Sequence, residues 1–369
     1  MTGKLGPDAL AAALAATGAP DAAVAQGPAY GEDAAAIDLV DAAETLVVAA
    51  DPLSLAAESV GTLAVHVACN DVAASGADPR WLTHTLFLPD GDPDRLRTVV
   101  DQVDATAREL GCAVVGGHTE VLDALDRPLC SMTAMGTTDR FVSSGGAEPG
   151  DRLLLTKGAA IEATAILATD FREECRAAGV PAATLDAAAG FLDEVSVVPD
   201  AAAVRDAATA LHDPTEGGVA TALVEMAAAS DSVFAVERDA VPVRPETRAC
   251  CDALGVDPLA TFGSGALLAA VQPDRVDDAL DALDAVGIGG AEIGSVEGAA
   301  GDAAGSGDAA DSGDAAGSGD AADSGDAAGS GDAADPARPA GTVRIDGEPL
   351  AEPPRDELYP LWEAREAEE

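Results

Sequence analysis

Four short groups of acidic and amide side chains lie in the N-terminal half of the chain, each where a predicted strand or helix gives way to a turn. The groups contain Glu32 and Asp33, then Asp51, then Asn70 and Asp71, and finally His118 and Glu120. Carboxylate and amide oxygens suit Mg²⁺, which neutralises nucleotide phosphates during phosphoryl transfer. In a chain this acidic, any single acid is more often a solvated surface group or a helix cap, so residue type alone identifies no site.

A second polar group, the segment HDPTEGGV at residues 212–219, lies in the C-terminal half. Gly217 and Gly218 precede a predicted apolar helix, so the turn opens onto a helix N-terminus whose free N–H groups attract anions. The competing interpretation is a capping turn, in which Asp213 or Thr215 caps the helix.

Lys157 is one of two lysines, the other being Lys4, in a chain whose remaining bases are Arg. It follows the predicted strand RLLLT and precedes a Gly at a strand-to-helix turn. A compact ammonium there could contact a phosphate or a substrate carboxylate. A solvated loop lysine is the alternative.

The elements that position these groups follow from hydrophobic spacing. Strands are predicted in TLVVAADP, WLTHTLFLP, CAVVGGHTE and LCSMTAMGTT, the third of which runs into a Gly-Gly turn. Helices are predicted in SVGTLAVHVACNDVAAS and DPDRLRTVVDQVDATARELG. From about Gly145 a new series of predicted helices and strands begins and continues to Val296. This series indicates a second domain.

The predicted organisation is an N-terminal helical extension (1–28), a first domain (29–142) and a second domain (145–369). Within the second domain, the hexad repeat from Gly301 to Asp335 contains no Leu, Ile, Val or aromatic residue. It therefore has no apolar face to bury and is predicted to be a disordered insertion at 299–340. Strand patterning resumes in GTVRIDGEPL, so the insertion interrupts a loop between two C-terminal strands.

The formal net charge is −46, from 66 acids and 20 bases, while 48% of residues are hydrophobic and 3% aromatic. Such acidity is typical either of disorder or of a halophilic protein hydrated by its carboxylates, and the apolar content favours the second. The charge argues against nucleic-acid and membrane-surface partners. No signal-peptide or membrane-span pattern is present, and six cysteines without CxxC spacing indicate free thiols in a cytoplasmic protein.

The phrases GEDAAAI, NDVAASGADP, VVGGHTE, TKGAAIEATAIL and LHDPTEGGVATALVEMA occur in one order and together resemble the AIR synthase/PurM superfamily. That superfamily includes selenophosphate synthetase, thiamine-monophosphate kinase and the hydrogenase maturation protein HypE. HDPTEGGV and the later VPVR are similar to the HypE branch, and GGHTE to archaeal AIR synthase-related proteins. The resemblance implies two domains with mixed α/β sheets, in a homodimer whose N-terminal domains pair through a barrel-like β interface.

The resemblance also implies ATP and Mg²⁺ as cofactors in a cleft near that interface. Carried onto this chain, it makes Asp33, Asp51 and Asp71 the metal-ligand candidates, with Asn70 close by as a cofactor-binding residue. In the family the HDPTEGGV segment faces the cleft between the domains, where Asp213 could orient a substrate or a metal. The catalytic and cofactor-binding candidates in that segment are His212, Asp213, Thr215, Glu216, Gly217 and Gly218.

The GGHTE phrase carries a departure from the family, which commonly has Asp where this chain has His118. A neutral imidazole is a poor Mg²⁺ ligand, so His118 is expected to contact phosphate, to transfer a proton, or to be a hydrogen-bonded turn residue. Gly116 and Gly117 would let the backbone approach phosphate, and Thr119 joins them as a cofactor-binding candidate. Lys157 and His118 complete the catalytic candidates.

The expected chemistry is ATP-dependent phosphorylation of an amide, carbamoyl or phosphate-like oxygen of a small metabolite. HypE proper carries a terminal cysteine that accepts a carbamoyl group, whereas the last cysteine here is Cys251, so HypE's own reaction is not expected. The alternatives are a thiamine-monophosphate-kinase-like phosphotransferase and a nucleotide-binding partner protein that has lost catalysis.

Overall fold

The computed structural model describes residues 22–27, 29, 31–39, 44–54, 59–299, 341–350 and 352–366. Most of the predicted N-terminal helical extension and the whole hexad repeat lie outside the described residues. Within the extension, Val24–Gln26 form a strand, because Val24 pairs with Ile37 of the next strand. The helical extension predicted for 1–28 is therefore wrong at these three residues. No helix in the described ranges combines the length and apolarity needed to span a membrane.

The described strands form two sheets, and the first belongs to the N-terminal half. Its strands are β1 (Val24–Gln26), β2 (Ala35–Asp38), β3 (Thr45–Leu53), β4 (Asp78–Leu88), β5 (Ala113–Val121) and β6 (Leu129–Thr138). They lie in the order β1-β2-β3-β6-β4-β5, and the β4–β5 pair is parallel while the others are antiparallel. Residues of β6 alternate between buried and half-buried, so one face of the sheet carries the core and the other is partly open.

Helices α1 (Val60–Ala74) and α2 (Pro93–Glu109) pack with this sheet. Helix α2 is amphipathic and begins at Asp92, whose carboxylate accepts a hydrogen bond from the N–H of Asp94. Helix α1 is buried along nearly its whole length, because it lies between strands β3 and β6 on one side and residues 198–204 of the second half on the other. Any polar group on α1 is therefore removed from water.

The second sheet confirms the predicted α/β architecture with mixed sheets. Its strands are β7 (Arg152–Thr156), β8 (Ala208–His212), β9 (Ser232–Val236), β10 (Leu268–Val271), β11 (Gly290–Ala299), β12 (Thr342–Ile345) and β13 (Glu348–Leu350), in the order β13-β12-β9-β11-β7-β10-β8. Strands β11 and β12, which the hexad repeat separates in the sequence, both pair with β9.

The helices of the second half cover both faces of this sheet. They are α3 (Ile161–Thr169), α4 (Arg172–Ala177), α5 (Ala182–Ala189), α6 (Val198–Val204), α7 (Gly218–Ser230), α8 (Pro245–Leu254), α9 (Val276–Ala285) and α10 (Tyr359–Glu366), with 3₁₀ turns at Gly190–Glu194, Arg238–Ala240 and Pro273–Arg275. Leu223 of α7 packs with Phe234, whereas Leu154 and Leu211 face a separate cluster that includes residues of α6 and α9. All six cysteines are buried, free thiols.

The predicted Gly-Gly turn is wrong, because Gly116 and Gly117 lie inside β5. They pair with Thr83 and His84 of β4. A Cβ on Gly117 would lie 2.6 Å from the carbonyl oxygen of His84, so this glycine allows a close approach of two strands.

Gly136 of β6 sets the spacing between the sheet and α1. A Cβ there would lie 2.4 Å from the carbonyl oxygen of Asp78 and 2.7 Å from Cγ1 of Val72. We expect Gly136→Ala to lower the free energy of unfolding by about 2 kcal/mol, since an inserted methyl must displace backbone. Guanidinium unfolding at fixed salt measures the change. Gly91→Ala is the matched control, because nothing lies within 4 Å of its added Cβ; equal midpoints for both variants would contradict the packing described.

Candidate functional site

Four carboxylates from four separate elements meet at the junction between the two sheets. Asp33 lies in the loop before β2, Asp51 on β3, Asp71 on α1 and Asp213 directly after β8. The carboxyl groups of Asp71 and Asp51 are in hydrogen-bond contact, and Asp71 is also close enough to Asp213 and Asp33 to interact with their charges. The three predicted metal-ligand positions are thus brought together, while the magnesium role itself stays a prediction.

Burial and mutual repulsion dominate the electrostatics of this carboxylate cluster, by which we mean Asp33, Asp51, Asp71 and Asp213. Burial raises the pKa of Asp71 well above its usual value, and the charges of Asp51 and Asp213 raise it further. Burial likewise raises the pKa of Asp213, followed by the charge of Asp33. A bound divalent cation would reverse both effects, because it favours the charged forms.

Asp213 carries the sharpest sign of a ligand site. It is 1% exposed, and neither of its carboxylate oxygens has a hydrogen-bond partner. Buried polar atoms in folded proteins are nearly always partnered, and a buried carboxylate without a partner is costly. The two free oxygens point to a cation that completes the site.

His212 bridges the cluster to helix α7. Its Nδ1 lies 2.8 Å from a carboxylate oxygen of Asp33, and its Nε2 lies 3.2 Å from Oε2 of Glu225. Burial opposes the charged imidazole, but the two carboxylates outweigh it and raise the pKa of His212 well above its usual value. Atoms of Asp33, His212 and Asp213 lie within 4.8 Å of one another. Because each ring nitrogen already lies within hydrogen-bond distance of a carboxylate, neither is free to bind a metal in this arrangement.

The loop that carries Asp33 is fixed against the second half of the chain. Gly31 has φ +82°, and a Cβ there would lie 2.4 Å from the carbonyl oxygen of Glu225, so only glycine fits this crossing. The hydroxyl of Ser143 donates to Oε1 of Glu32 over 2.5 Å, and that of Ser144 donates to Oδ2 of Asp33 over 3.1 Å. Asp33 is therefore held by groups outside its own domain.

Asn70 is next to Asp71 in sequence but serves a different contact. Its Nδ2 donates to the carbonyl oxygen of Val195, and its Oδ1 accepts from the N–H of Val197, both at 2.8 Å. The amide is fully buried and joins α1 to the second half of the chain. This geometry argues against the predicted cofactor contact and gives Asn70 a structural role beside the cluster.

Lys157 is not presented to a ligand. Its Nζ donates to the carbonyl oxygens of Glu194, Ser196 and Gly265, and lies 3.0 Å from Oδ2 of Asp200. An ammonium has three donors, and these partners use them all. The predicted catalytic role is therefore opposed by the structure, and so is the solvated loop lysine, because the side chain is 10% exposed.

The residues of the GGHTE phrase lie apart from the cluster, on the edge strand β5. In register, Asp51 is opposite Met132, Met132 is opposite His84, and His84 is opposite Gly117. Three strand spacings separate β5 from β3, about 14 Å. His118 is exposed and lies 3.8 Å from Glu120. The structure thus does not bring Gly116, Gly117, His118 or Thr119 to the four aspartates.

The start of α7 is already occupied by protein partners. The N–H of Gly217 donates to Oδ2 of Asp356, that of Gly218 to the carbonyl oxygen of Thr215, and that of Ala220 to the carbonyl oxygen of Leu259. These partners take up three of the N–H groups that the predicted anion site would offer. Gly217 is the N-cap, with no side-chain cap, so the alternative caps Asp213 and Thr215 are also wrong.

Glu216, the remaining cofactor-binding candidate, interacts with Tyr359 of the C-terminal segment, which it contacts through a hydrogen bond. The cofactor contact predicted for Glu216 stays a prediction.

Sequence reasoning missed several residues that contact the cluster or its neighbours, namely Ser143, Ser144, Glu225 and Asp356. Glu225 is a single acid inside the apolar run VATALVEMA, a pattern that predicts a buried acid with a partner. The two serines and Asp356 belong to segments with no spacing that relates them to the aspartates.

Comparisons with known proteins find matches to both halves of the chain. Residues 31–138 match the model of the AIR synthase related protein N-terminal domain, and residues 148–305 match that of the C-terminal domain. Carbamoyl dehydratase HypE of Rhizobium leguminosarum bv. viciae is 31% identical over 64% of this chain and 67% of its own. The crystal structure of hydrogenase maturation protein HypE in complex with ATP is 30% identical, with a TM-score of 0.57 over 72% of this chain and 80% of its own.

A further structural neighbour, AaThiL complexed with AMPPCP and TMP, covers 87% of this chain and 89% of its own with a TM-score of 0.64. At 19% identity it supports the two-domain fold alone.

The repulsion among the four aspartates has a measurable consequence for stability. We expect Asp71→Asn to raise the free energy of unfolding at pH 8 without divalent cations by about 1 kcal/mol or more, since each unit of pKa shift is worth 1.36 kcal/mol. Thermal unfolding in a chelator measures this. Asp101→Asn, an exposed acid on α2, is the control and should change little. A less stable Asp71→Asn protein would contradict the electrostatic description.

Proposed function

The chain belongs to the AIR synthase related family, and we propose that it is an ATP- and Mg²⁺-dependent enzyme that activates an oxygen of a small metabolite by phosphoryl transfer. The observation that carries this proposal is the carboxylate cluster, in which Asp213 has two buried oxygens without a partner. A set of carboxylate oxygens is the donor set of a hard divalent cation. Asp33, Asp51, Asp71 and Asp213 would hold the ion.

The relatives support the nucleotide and the reaction class. The HypE structure at 30% identity is a complex with ATP. The HypE of Rhizobium leguminosarum is a carbamoyl dehydratase, which supports chemistry at an oxygen in this chain as well. The chain covers about two thirds of that relative's length, so the substrate is not carried over.

Each residue of the cluster has a proposed task. Bound Mg²⁺ supplies charge neutralisation for the triphosphate and for the transferred phosphoryl group. The four aspartates bind the cation, and His212 with Ser144 orients the carboxylate of Asp33 toward it. Burial of the site excludes water, which strengthens these interactions.

A second candidate function is nucleotide binding without catalysis. Two observations favour it. The ammonium of Lys157 donates its hydrogen bonds to groups of the protein itself, and His118 lies on the edge strand β5, away from the carboxylate cluster. The two functions differ in outcome, because a binding protein retains ATP whereas an enzyme consumes it.

The first test is calorimetric titration of ATP with and without Mg²⁺. The net charge of −46 supports the further proposal of a halophilic protein, so the titration is run in molar potassium chloride. We expect Mg²⁺-dependent binding that Asp213→Asn weakens at least about tenfold, since it removes a metal ligand. Asp101→Asn should bind like the wild type. Equal affinity for Asp213→Asn and the wild type would contradict the proposal.

Consumption of ATP in the presence of a metabolite pool then separates catalysis from binding. ADP with free phosphate indicates activation followed by loss of phosphate, and ADP with a phosphorylated product indicates a kinase. Binding without consumption supports the second candidate.

We also propose that the chain forms a homodimer through the open face of the first sheet. The half-buried residues on alternate positions of this sheet include Val48 and Met135, which are opposite each other, and Phe87. Strand β5 is exposed along its whole length, with Val115 57% exposed. An open apolar face of this kind suits a second copy of the same surface.

Light scattering after size exclusion tests the dimer. We expect a dimeric wild type, and a monomeric Val48→Asp protein because the charge would be buried in the interface. Val100→Asp, at an exposed position of α2, is the matched control and should stay dimeric. A monomeric wild type, or a dimer unaffected by Val48→Asp, would contradict the proposal.

A further inference from the structure

The C-terminal segment, residues 352–366, contacts the turn that leads from Asp213 into α7. Asp356 is 1% exposed, and its Oδ2 accepts the N–H of Gly217 at 2.8 Å. Its Oδ1 accepts the hydroxyl of Thr261 at 3.2 Å and the N–H of Leu358 at 3.0 Å. One carboxylate therefore joins three parts of the chain: the turn at 213–217, the loop at 257–263 and its own segment.

Other contacts of the segment reinforce this junction. The N–H of Glu357 donates to the carbonyl oxygen of Ala260 at 3.1 Å. Leu358 is fully buried. The ring of Tyr359 lies 5.9 Å from that of Phe262, in an edge-on arrangement. Residues 356–359 are thus packed against the loop at 257–263.

The turn itself leaves little room for another arrangement. Gly217 has φ +76°, and a Cβ there would lie 3.0 Å from the carbonyl oxygen of Pro354. Gly218 has φ +63°, and a Cβ there would lie 2.4 Å from the carbonyl oxygen of Thr261. The carbonyl oxygen of Thr215 accepts the N–H of Gly263. These contacts define the path of the backbone from Asp213 to α7.

Asp213 depends on that backbone path, because neither of its carboxylate oxygens accepts a hydrogen bond. On the N-terminal side, the preceding residue is the end of β8 and is held by β10. On the C-terminal side, the bond from Gly217 to Asp356 is the side-chain restraint nearest to Asp213 among the contacts described above.

We propose that Asp356 is a positioning residue, which holds the turn at 213–217 so that Asp213 is presented to Asp33, Asp51 and Asp71. This inference rests on the proposed cation site for its functional consequence, and on the hydrogen bonds of Asp356 for its geometry. The residues after the hexad repeat thereby act on a site built largely from residues before it.

Hydrogen–deuterium exchange of the full chain tests the geometry without any ligand. Asp356→Asn leaves one acceptor oxygen for three donors, the N–H groups of Gly217 and Leu358 and the hydroxyl of Thr261. Amide exchange in peptides covering residues 213–220 should therefore rise at least about tenfold. Glu352→Gln, an exposed acid of the same segment, is the matched control and should exchange like the wild type. Unchanged exchange in Asp356→Asn would overturn the proposal.

Cation affinity tests the functional consequence. Mg²⁺ titration should show Asp356→Asn binding Mg²⁺ several-fold more weakly than Glu352→Gln. If the turn opens but the Mg²⁺ affinity is unchanged, Asp356 is structural only and the proposal is overturned.

A milder pair of variants covers the case in which Asp356→Asn fails to fold. Thr261→Val removes one hydrogen bond to Asp356, and Thr261→Ser keeps the hydroxyl. Exchange at 213–220 should rise in Thr261→Val and be restored in Thr261→Ser; the same exchange in both would overturn the proposal. If the wild type binds no Mg²⁺, the proposed function fails, and the exchange results alone decide the role of Asp356.

Discussion

Four carboxylates held close together, two of them buried, are the constraint on which the rest of this structure depends. Burial raises the pKa of Asp71 and of Asp213, and the charges of neighbouring aspartates raise both further. His212 contacts Asp33 from one side and Glu225 from the other. Two oxygens of Asp213 have no protein partner. A fold retains an arrangement this unfavourable when a bound ligand stabilises it. A divalent cation is the ligand whose chemistry matches a set of carboxylate oxygens.

The architecture brings the four acids together by joining two halves of the chain. Asp51 and Asp71 come from the first sheet and the helix that packs on it, whereas Asp213 follows the edge strand β8 of the second sheet. The loop at Asp33 crosses onto helix α7 at Gly31, and Asn70 fastens α1 to residues 195–197. Because the site is formed at the junction, contacts that fix one half against the other also set the geometry of the aspartates.

The sequence predicted most of the regular elements, because their hydrophobic periods are intact. The amphipathic helix α2, with its cap at Asp92, and the alternating strand β6 show this directly. The sequence also identified Asp33, Asp51, Asp71 and Asp213 as functional candidates, because the motifs around them resemble those of the AIR synthase superfamily. It failed where the outcome depends on a distant partner. Nothing near Lys157 in sequence indicates that Asp200 and three carbonyl groups will take up its ammonium. Likewise, Asp356 accepts the N–H of Gly217 although the two residues are 139 positions apart in the sequence. From the sequence alone, the N-terminus of α7 was therefore expected to be available to an anion.

The most direct test of the cation site is a crystal structure of the protein grown with Mn²⁺ and a non-hydrolysable ATP analogue, with data collected at the manganese absorption edge. Mn²⁺ is the stand-in for Mg²⁺ because both prefer oxygen ligands and Mn²⁺ gives an anomalous signal. The account predicts an anomalous peak that touches Asp213 and at least one of Asp33, Asp51 and Asp71. Bound nucleotide with no peak among these four residues, or with manganese held elsewhere, would contradict it.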